Sequence, residues 1–348
     1  MKRLWLALAA MVFLPPASLP AAGSGGALLH DIRPGKGVAA VRQLSDYLPV
    51  LAETPGDTRI YVLEGKEPGG TVFVAGGTHG NEIAGIVAAT ILVERTQVQK
   101  GRLIVVPHAN NSAVGYPDAR RPGPPSIFIE TPSGKRGFRY GSRLTNPDHQ
   151  GAKDPPQYRP PGSMEEIEGW EARNLNRNYP GKADGNLTQK IAFAIMELLR
   201  KESVDVAYDF HETGPGSRLA WMLVANPKNV DAGAAALLTL DEAGIPIKLE
   251  ASSKTFRGLS HREWGDATRA MAFLFETPNP LMKDGDRGAD TVNDPDLPLS
   301  RRVGVQLSVF LAVLEACNGA AAPEKKFGLA GVPGFPEIKA AGLGSFLR

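Results

Sequence analysis

The stretch VFVAGGTHGNEIAG, residues 72–85, runs from an apolar, strand-like segment through two glycines into the start of a helix-like segment. It presents His79 and Glu82 three residues apart, a spacing that puts two side chains on one side of the first turn of a helix. Glycines on both sides of the histidine allow the backbone to turn tightly and to approach a bound ion. The pair is therefore either a polar turn between a strand and a helix or part of a metal site whose third ligand lies elsewhere in the chain.

Strand-like and helix-like segments alternate along most of the sequence. Short runs rich in β-branched and aromatic residues predict strands, and longer amphipathic runs predict helices. The predicted strands are residues 58–65, 70–77, 101–111, 204–213, 219–226 and 269–280, and the predicted helices are residues 81–96, 187–203, 231–244 and 300–317. This alternation indicates an α/β domain with a mixed, mostly parallel sheet.

The composition is that of an ordinary globular protein, with 42% hydrophobic and 22% charged residues in a chain of 348. Basic and acidic residues are interspersed and give a net charge of +2, so no nucleic-acid partner is expected. The single cysteine, Cys317, cannot form an intramolecular disulfide bond. The stability of the fold must therefore come from its hydrophobic core.

The first residues carry a signal for the compartment. Lys2 and Arg3 precede an apolar run, residues 4–14, and a segment of small residues and prolines follows. This layout is typical of a secretory signal peptide, here residues 1–22, and the apolar run is short for a membrane span. We therefore expect a periplasmic or secreted protein with no stable membrane span once the signal is removed; an uncleaved membrane anchor is the alternative.

The rest of the chain is expected to form one catalytic domain, residues 23–317. Within it, residues 113–180 are dense in Pro, Gly, Arg and Asp and have almost no apolar repeat. A long segment of this kind is either functional or disordered, and the motifs inside it favour a function. Residues 318–348 are rich in Gly, Ala and Pro, and we expect a loosely packed tail there.

Polar residues follow three of the apolar strands, in VFVAGGTHGNE, VAYDFHET and AFLFET. Ligands of open α/β sheets bind outside the carboxyl ends of the strands, so these side chains should converge on one crevice. Two histidines and a carboxylate with an open fourth position form a common catalytic zinc set, and His211 supplies the ligand that His79 and Glu82 lack. Glu276 is the candidate for a general base that activates water.

Each of these residues could instead serve the fold alone. His211 could be a hydrogen-bonded histidine at a strand end, Glu276 could cap a turn, and Glu212 is expected to be structural. The other histidines are interpreted as structural or surface residues: His30, His108, His149 and His261. Of these, His108 and His149 are the ones expected to line the cleft.

The stretch EARNLNRNYPG, residues 171–181, is the most informative of the remaining motifs. Together with GGTHGNE, DFHET and FLFETP it resembles the zinc carboxypeptidase superfamily, and within it the succinylglutamate desuccinylase/aspartoacylase family. The resemblance covers about residues 72–280. It implies a zinc-carboxypeptidase-like α/β fold, with helices on both faces of a mixed, mostly parallel sheet. It also implies one zinc ion per chain and hydrolysis of an amide next to a free carboxylate.

The same resemblance implies a role for each matching residue. The zinc ligands would be His79, Glu82 and His211, the residues that bind the substrate's carboxylate would be Asn176 and Arg177, and the general base would be Glu276. A guanidinium beside an amide donor is well matched to a carboxylate.

The chain also departs from the family's pattern. Asn174 stands where the family usually has an aspartate, which changes one support of this loop. The family uses an arginine to stabilise the oxyanion, and Arg143 is favoured over the other arginines of the irregular region: Arg120, Arg121, Arg139, Arg159 and Arg173. Family members often carry a C-terminal β-rich domain that narrows the site. Only a short tail follows Cys317, so residues 113–173 are expected to shape the substrate site instead.

The sequence thus predicts an exported zinc-dependent amidohydrolase that acts on a small acyl-amino acid or a peptide with a free carboxylate, as an N-acyl amino acid deacylase or a desuccinylase-like enzyme. A metallocarboxypeptidase acting on the C-termini of peptides or peptidoglycan stem peptides is the alternative within the same chemistry. A non-catalytic binding module of the same fold is the alternative of another class. That module would have a damaged zinc or base position, and none of the four candidate positions is damaged.

Overall fold

The structure is a computed structural model that describes residues 32–117, 123–283 and 289–348. The predicted signal peptide, residues 1–22, lies outside the described residues, as do His30, Arg120 and Arg121.

The described residues form an α/β fold. Its strands are β1 (Val38–Gln43), β2 (Arg59–Glu64), β3 (Glu67–Ala75), β4 (Gln97–Val106), β5 (Ser126–Thr131), β6 (Gly134–Arg139), β7 (Gln157–Tyr158), β8 (Ile167–Glu168), β9 (Val206–Thr213), β10 (Met222–Ala225), β11 (Lys248–Ala251), β12 (Met271–Pro278) and β13 (Gly328–Ala330). Its α-helices are α1 (Ile83–Arg95), α2 (Asn111–Val114), α3 (Leu187–Lys201), α4 (Val230–Glu242), α5 (Ser260–Ala267), α6 (Leu299–Ala320) and α7 (Phe335–Ala341).

The main sheet has the strand order β1-β2-β4-β3-β9-β12-β10-β11, and β13 adds to β4. Strands β4, β3, β9 and β12 at its centre run parallel to one another. Strand β2 is antiparallel to β4 and β10 is antiparallel to β12, so the sheet is mixed with a parallel centre. The carboxyl ends of β3, β9 and β12 therefore lie side by side at one edge, where ligands bind in folds of this kind.

Helices cover both faces of the sheet because the side chains of β3 alternate between two apolar clusters. Val72 and Val74 belong to the cluster formed with α1, α4 and α6, whereas Phe73 and Ala75 belong to the cluster formed with α3. Trp264 of α5 packs edge-on against Phe73, with 5.4 Å between the ring centroids. The predicted fold class is confirmed: a mixed, mostly parallel sheet with helices on both faces.

The described part of residues 113–180 is built from short elements. Strands β5 and β6 form an antiparallel hairpin, and β7 pairs with β8. Two 3₁₀ turns, Gly169–Arg173 and Leu175–Arg177, carry the NLNRN motif. Polar contacts hold them, since the Arg173 guanidinium donates to Asp154 and, at 2.8 Å, to the backbone oxygen of Thr145.

The C-terminal segment, residues 318–348, packs more closely than its composition indicates. Strand β13 pairs with β4, and the side chains of Ile338, Leu343 and Leu347 are buried in the same cluster as α6. The Arg95 side chain donates to three backbone oxygens of residues 345–347. The loose packing expected for this segment is therefore not what the structure has, because a few well-spaced apolar residues suffice to anchor a Gly/Ala/Pro-rich chain.

Helix α6 is long and apolar enough to cross a membrane by length and composition, yet 61% of its most apolar 18-residue window is buried inside the protein. It packs against α1, α4 and α7 as a core helix.

Candidate metal centre and substrate cavity

His79, Glu82 and His211 form one buried cluster whose ligand atoms all lie within 4.8 Å of one another. His79 Nδ1 lies 2.5 Å from Glu82 Oε1, and His211 Nδ1 lies 2.8 Å from Glu82 Oε2. The rings of the two histidines meet edge-on, with 4.9 Å between their centroids. The structure thus brings the three predicted ligands together from two distant parts of the chain.

His79 and Glu82 lie in the turn between β3 and α1. Glu82 is the residue that caps α1, and its backbone N–H donates to the His79 carbonyl. The spacing predicted that the pair lies in the first turn of the helix. In the structure it lies just before the helix instead. The turn needs its glycines: Gly77 has a φ of +65°, and a Cβ on Gly80 would come within 2.5 Å of the Ala113 backbone oxygen. These glycines allow close backbone packing, which differs from the expected approach to an ion.

The outer nitrogen of each histidine faces an oxygen atom. His79 Nε2 lies 2.8 Å from Asn174 Oδ1, and His211 Nε2 lies 2.9 Å from Asp209 Oδ2. Asp209 in turn accepts a hydrogen bond from Thr78 Oγ1 at 2.9 Å. For His79 the contact with Asn174 places the proton on Nε2 and leaves the Nδ1 lone pair for a metal ion, which is how metal-binding histidines are commonly oriented. Asp209 lies next to the corresponding atom of His211.

Burial and the neighbouring carboxylates set the charges of the two histidines in the cluster. Burial lowers the pKa of His79 and so favours a neutral ring. Burial opposes charge on His211 too, but the Asp209 and Glu82 carboxylates raise its pKa well above the ordinary value. Despite the short distances, the His211 ring nitrogens make no contact of hydrogen-bond geometry within the described residues. These donor types and this unsatisfied buried histidine fit a divalent metal ion.

A cavity of about 280 Å³ opens beside the cluster. Its lining includes His79, Arg143, Asn176, Arg177 and Glu276, while Glu82 and His211 lie behind it at 1% and 0% exposure. One predicted ligand, the predicted base and the predicted carboxylate-binding residues therefore line one cavity, with the other two ligands directly behind it. Its volume is just below the usual range of roughly 300–1,000 Å³ for small-molecule sites.

Asn176 and Arg177 are held in place by neighbours on the cavity wall. Asn176 Oδ1 accepts a hydrogen bond from the Ser260 backbone N–H at 2.7 Å, so its amide nitrogen is the group left to donate. The Arg177 guanidinium lies over the Phe256 ring, 5.0 Å from its centroid. Burial and the nearby Arg143 lower the pKa of Arg177 to about 10, which still leaves it protonated at neutral pH.

Arg143 is the favoured oxyanion residue, and the structure puts it on the cavity wall. Of the other candidate arginines that the structure describes, Arg159 pairs with Glu166 at 2.8 Å and Arg173 pairs with Asp154 at 2.8 Å. The residues that line the cavity do not include these two arginines or Arg139.

Glu276 on β12 is the register partner of His211 on β9. Its side chain lines the cavity, and its Oε2 atom is buried without a hydrogen-bond partner in the described part of the chain. Burial, opposed by His211 and assisted by the Glu82 carboxylate, raises the pKa of Glu276 to about 8. A base whose pKa lies near the operating pH is well suited to accept and return a proton.

Glu212 has structural contacts, as expected, although it also borders the cavity. It forms a fully buried ion pair with Arg302 of α6 and accepts a hydrogen bond from the Ala84 backbone N–H at 2.9 Å. Its own backbone N–H donates to Glu82 Oε2 at 3.0 Å. On the same helix, Gln306 Nε2 donates to the His211 backbone oxygen at 2.6 Å. Helix α6 thus holds the end of β9 in place through Arg302 and Gln306.

Sequence reasoning missed three polar residues of the site. Asp209 is visible two positions before His211 in the strand, and Glu171 stands three positions before Asn174. His261 lines the cavity, whereas His108 and His149, the histidines expected there, do not. His261 lies 2.9 Å from Ser252 Oγ through Nε2, and burial lowers its pKa to about 3, so the ring is neutral. No local pattern around this histidine distinguishes it.

The fold and this site define an α/β protein with a buried His–Glu–His cluster at the carboxyl ends of its central strands. Residues 156–276 match the succinylglutamate desuccinylase/aspartoacylase catalytic domain, and the resemblance inferred from the four motifs is confirmed.

Individual relatives are hydrolases. The N-alpha-acetyl-L-2,4-diaminobutyric acid deacetylase of Halomonas elongata is 30% identical over 155 residues, which cover 44% of this chain and 31% of the deacetylase. The match thus spans about a third of the length of that curated relative.

Two solved structures are also similar in outline. A succinylglutamate desuccinylase from a Silicibacter species has 21% identity and a TM-score of 0.43, with 74% of this chain and 60% of that chain covered. A metallo-carboxypeptidase from Burkholderia cenocepacia has 12% identity and a TM-score of 0.47, with 80% and 69% covered.

Proposed function

We propose that this chain is a zinc-dependent amidohydrolase that cleaves the amide bond of a small N-acyl amino acid bearing a free carboxylate. The observation that carries the proposal is that one cavity of about 280 Å³ is lined by His79 of the buried His–Glu–His cluster, by the Glu276 carboxylate and by the side chains of Asn176 and Arg177. Zinc held by His79, Glu82 and His211 would supply Lewis-acid polarisation of the amide carbonyl. The match to a deacylase catalytic domain supports the same reaction class.

The chain's own residues bind the substrate, stabilise the developing negative charge and transfer the proton. Arg177 and the Asn176 amide nitrogen hold the substrate's carboxylate, and Arg143 faces the carbonyl oxygen as negative charge develops on it. Glu276 accepts a proton from the attacking water as its oxygen bonds to the carbonyl carbon. It then gives that proton to the amine nitrogen as the carbon–nitrogen bond breaks. The products are a carboxylic acid and a free amino acid.

A metallocarboxypeptidase acting on peptide or stem-peptide C-termini is the second candidate, since Asn176 and Arg177 can hold a C-terminal carboxylate equally well. The small cavity favours the acyl amino acid. A non-catalytic binding module is disfavoured because His79, Glu82, His211 and Glu276 are all present and close together. The N-terminal sequence supports export to the periplasm or beyond, which we include in the proposal.

The test is a release assay with zinc-loaded protein and two substrate panels. One panel holds N-acetyl and N-succinyl amino acids, and the other holds di- and tripeptides, with free amine as the common readout. We expect turnover of the acyl panel that is abolished by a chelator and restored by Zn²⁺. Turnover of the peptide panel alone would support the carboxypeptidase. Zinc binding without turnover of either panel would support the binding module.

A further inference from the structure

We propose that Glu171 is a positioning residue that serves both halves of the site: it orients the His79 ligand through Asn174, and it holds Arg143 and Arg177 side by side. Its activity readout rests on the proposed function, whereas its metal-affinity readout does not.

The first half is a chain of hydrogen bonds. The Glu171 carboxylate only accepts, so it takes Asn174 Nδ2–H, at 2.5 Å. The other end of the Asn174 amide, Oδ1, then faces His79 Nε2 at 2.8 Å. The Asn176 backbone N–H also donates to Asn174 Oδ1, at 2.9 Å, and so favours the same orientation of the amide. Glu171, together with this backbone N–H, therefore favours the His79 tautomer that carries its proton on Nε2 and presents Nδ1 to Glu82.

The second half is electrostatic. Glu171 Oε1 lies 3.5 Å from Arg143 Nε, and Glu171 Oε2 lies 3.8 Å from Arg177 Nε. Two guanidinium groups on one cavity wall repel each other, and a shared carboxylate between them offsets that repulsion. Burial disfavours the charged form of Glu171, but the two arginines and the Asn174 hydrogen bond together outweigh it and keep its pKa below the ordinary value.

This arrangement explains the departure from the family's pattern. The resemblance places an aspartate where this chain has Asn174, and an amide alone carries no charge towards His79. In this chain the carboxylate stands one hydrogen bond further out, at Glu171, which is only 8% exposed. From that position one carboxylate acts on His79 through Asn174 and pairs directly with Arg143 and Arg177.

The experiment compares E171Q and the double variant E171Q/N174D with the wild type. Zn²⁺ affinity of the metal-free protein is measured by competition with a chelator, and KM is measured for an N-acetyl amino acid. E166Q, an exposed glutamate paired with Arg159, is the matched control. Thermal melts confirm that all variants are folded.

We expect E171Q to lose about 10-fold in Zn²⁺ affinity, as is typical when the partner of a metal ligand is changed, and to raise KM, while E166Q changes neither. In the double variant the new carboxylate accepts directly from His79 and is itself hydrogen-bonded by the glutamine. We therefore expect its Zn²⁺ affinity to return to within about 3-fold of the wild type, a small part of that loss, while KM stays high because the arginines still lack their counter-ion.

Two results would overturn the inference. One is an E171Q variant with wild-type Zn²⁺ affinity and KM. The other is a double variant that recovers neither quantity, or both together, since a merely structural glutamate would not separate them. A wild type that binds Zn²⁺ but hydrolyses no acyl amino acid would contradict the proposed function instead, and the Zn²⁺ affinities would then decide the role of Glu171.

Discussion

Glu276 and His211 are register partners on the neighbouring parallel strands β12 and β9, so the candidate base and a candidate metal ligand are fixed relative to each other by the sheet itself. A loop connection would leave that separation free to vary. Rigid placement on strands is what a proton acceptor beside a reacting carbonyl requires.

Replacing Glu276 with Gln should lower kcat by roughly 10²–10⁴-fold, because the amide cannot accept the proton of the attacking water. Zn²⁺ content and KM should stay close to the wild-type values, since Glu276 is not one of the three clustered ligands. Steady-state kinetics and metal analysis check both. The exposed Glu242, changed to Gln, is the control, and wild-type kcat in the Glu276 variant would remove this residue from the mechanism.

His211→Ala should abolish stoichiometric metal binding. The wild type is expected to hold about one Zn²⁺ per chain, and the variant should lose it because two remaining ligands rarely retain zinc. Metal content after dialysis, measured by atomic emission, gives the answer. His149→Ala should keep its metal, because His149 contacts Ser112 and not the cluster. Zinc retained by the His211 variant would place the metal elsewhere.

Arg177→Lys should raise KM by about 10–100-fold with a smaller effect on kcat, because a lysine cannot present the planar fork that matches a carboxylate. The decisive comparison uses an N-acyl amino acid and its carboxamide, which lacks the charge. The wild type should strongly prefer the acid, and the variant should lose most of that preference. An unchanged preference would mean that the carboxylate binds elsewhere in the cavity.

Arg302→Met should destabilise the fold by about 3–5 kcal/mol, since it leaves the Glu212 carboxylate buried without a partner. Adding Glu212→Gln should recover part of the loss by removing the uncompensated charge. Urea denaturation of both variants measures the free energies of unfolding. If the double variant were less stable than Arg302→Met alone, the buried pair would not be the cause.

Much of the sheet could be predicted from the sequence, because its central strands are continuous apolar runs with clear ends. Strands β9 and β12 and helices α1 and α3 lie within predicted segments, whereas β3 and α6 overlap their predicted segments and extend beyond them. Strand β1 and the hairpin of β5 and β6 were missed. Positions alternate between half-buried and exposed along β1, and between buried and more exposed along parts of β5 and β6. Each strand has only six residues, too short a pattern to stand out.

The three ligands could be predicted because each follows a strand whose end is visible in the sequence. The residues that orient them could not, since a hydrogen bond such as that between Asn174 and His79 depends on where an irregular loop returns to the sheet. His261 shows the same limit. It reaches the cavity from α5, a helix of only eight residues that was not predicted from the sequence.

The pairing of β3 with β9 also sets when the metal centre can form. His79 and His211 are separated by 211 − 79 = 132 positions, and they meet only once these two strands are side by side. Contacts so remote along the chain close late in folding. A metal ion that needs both histidines therefore recognises the native protein and not its unfolded precursors. At a free concentration a thousand times its Kd, such an ion would raise the free energy of unfolding by about 4 kcal/mol. A metal bound in this way would stabilise the folded state. Removing it would lower the free energy of unfolding as well as the activity.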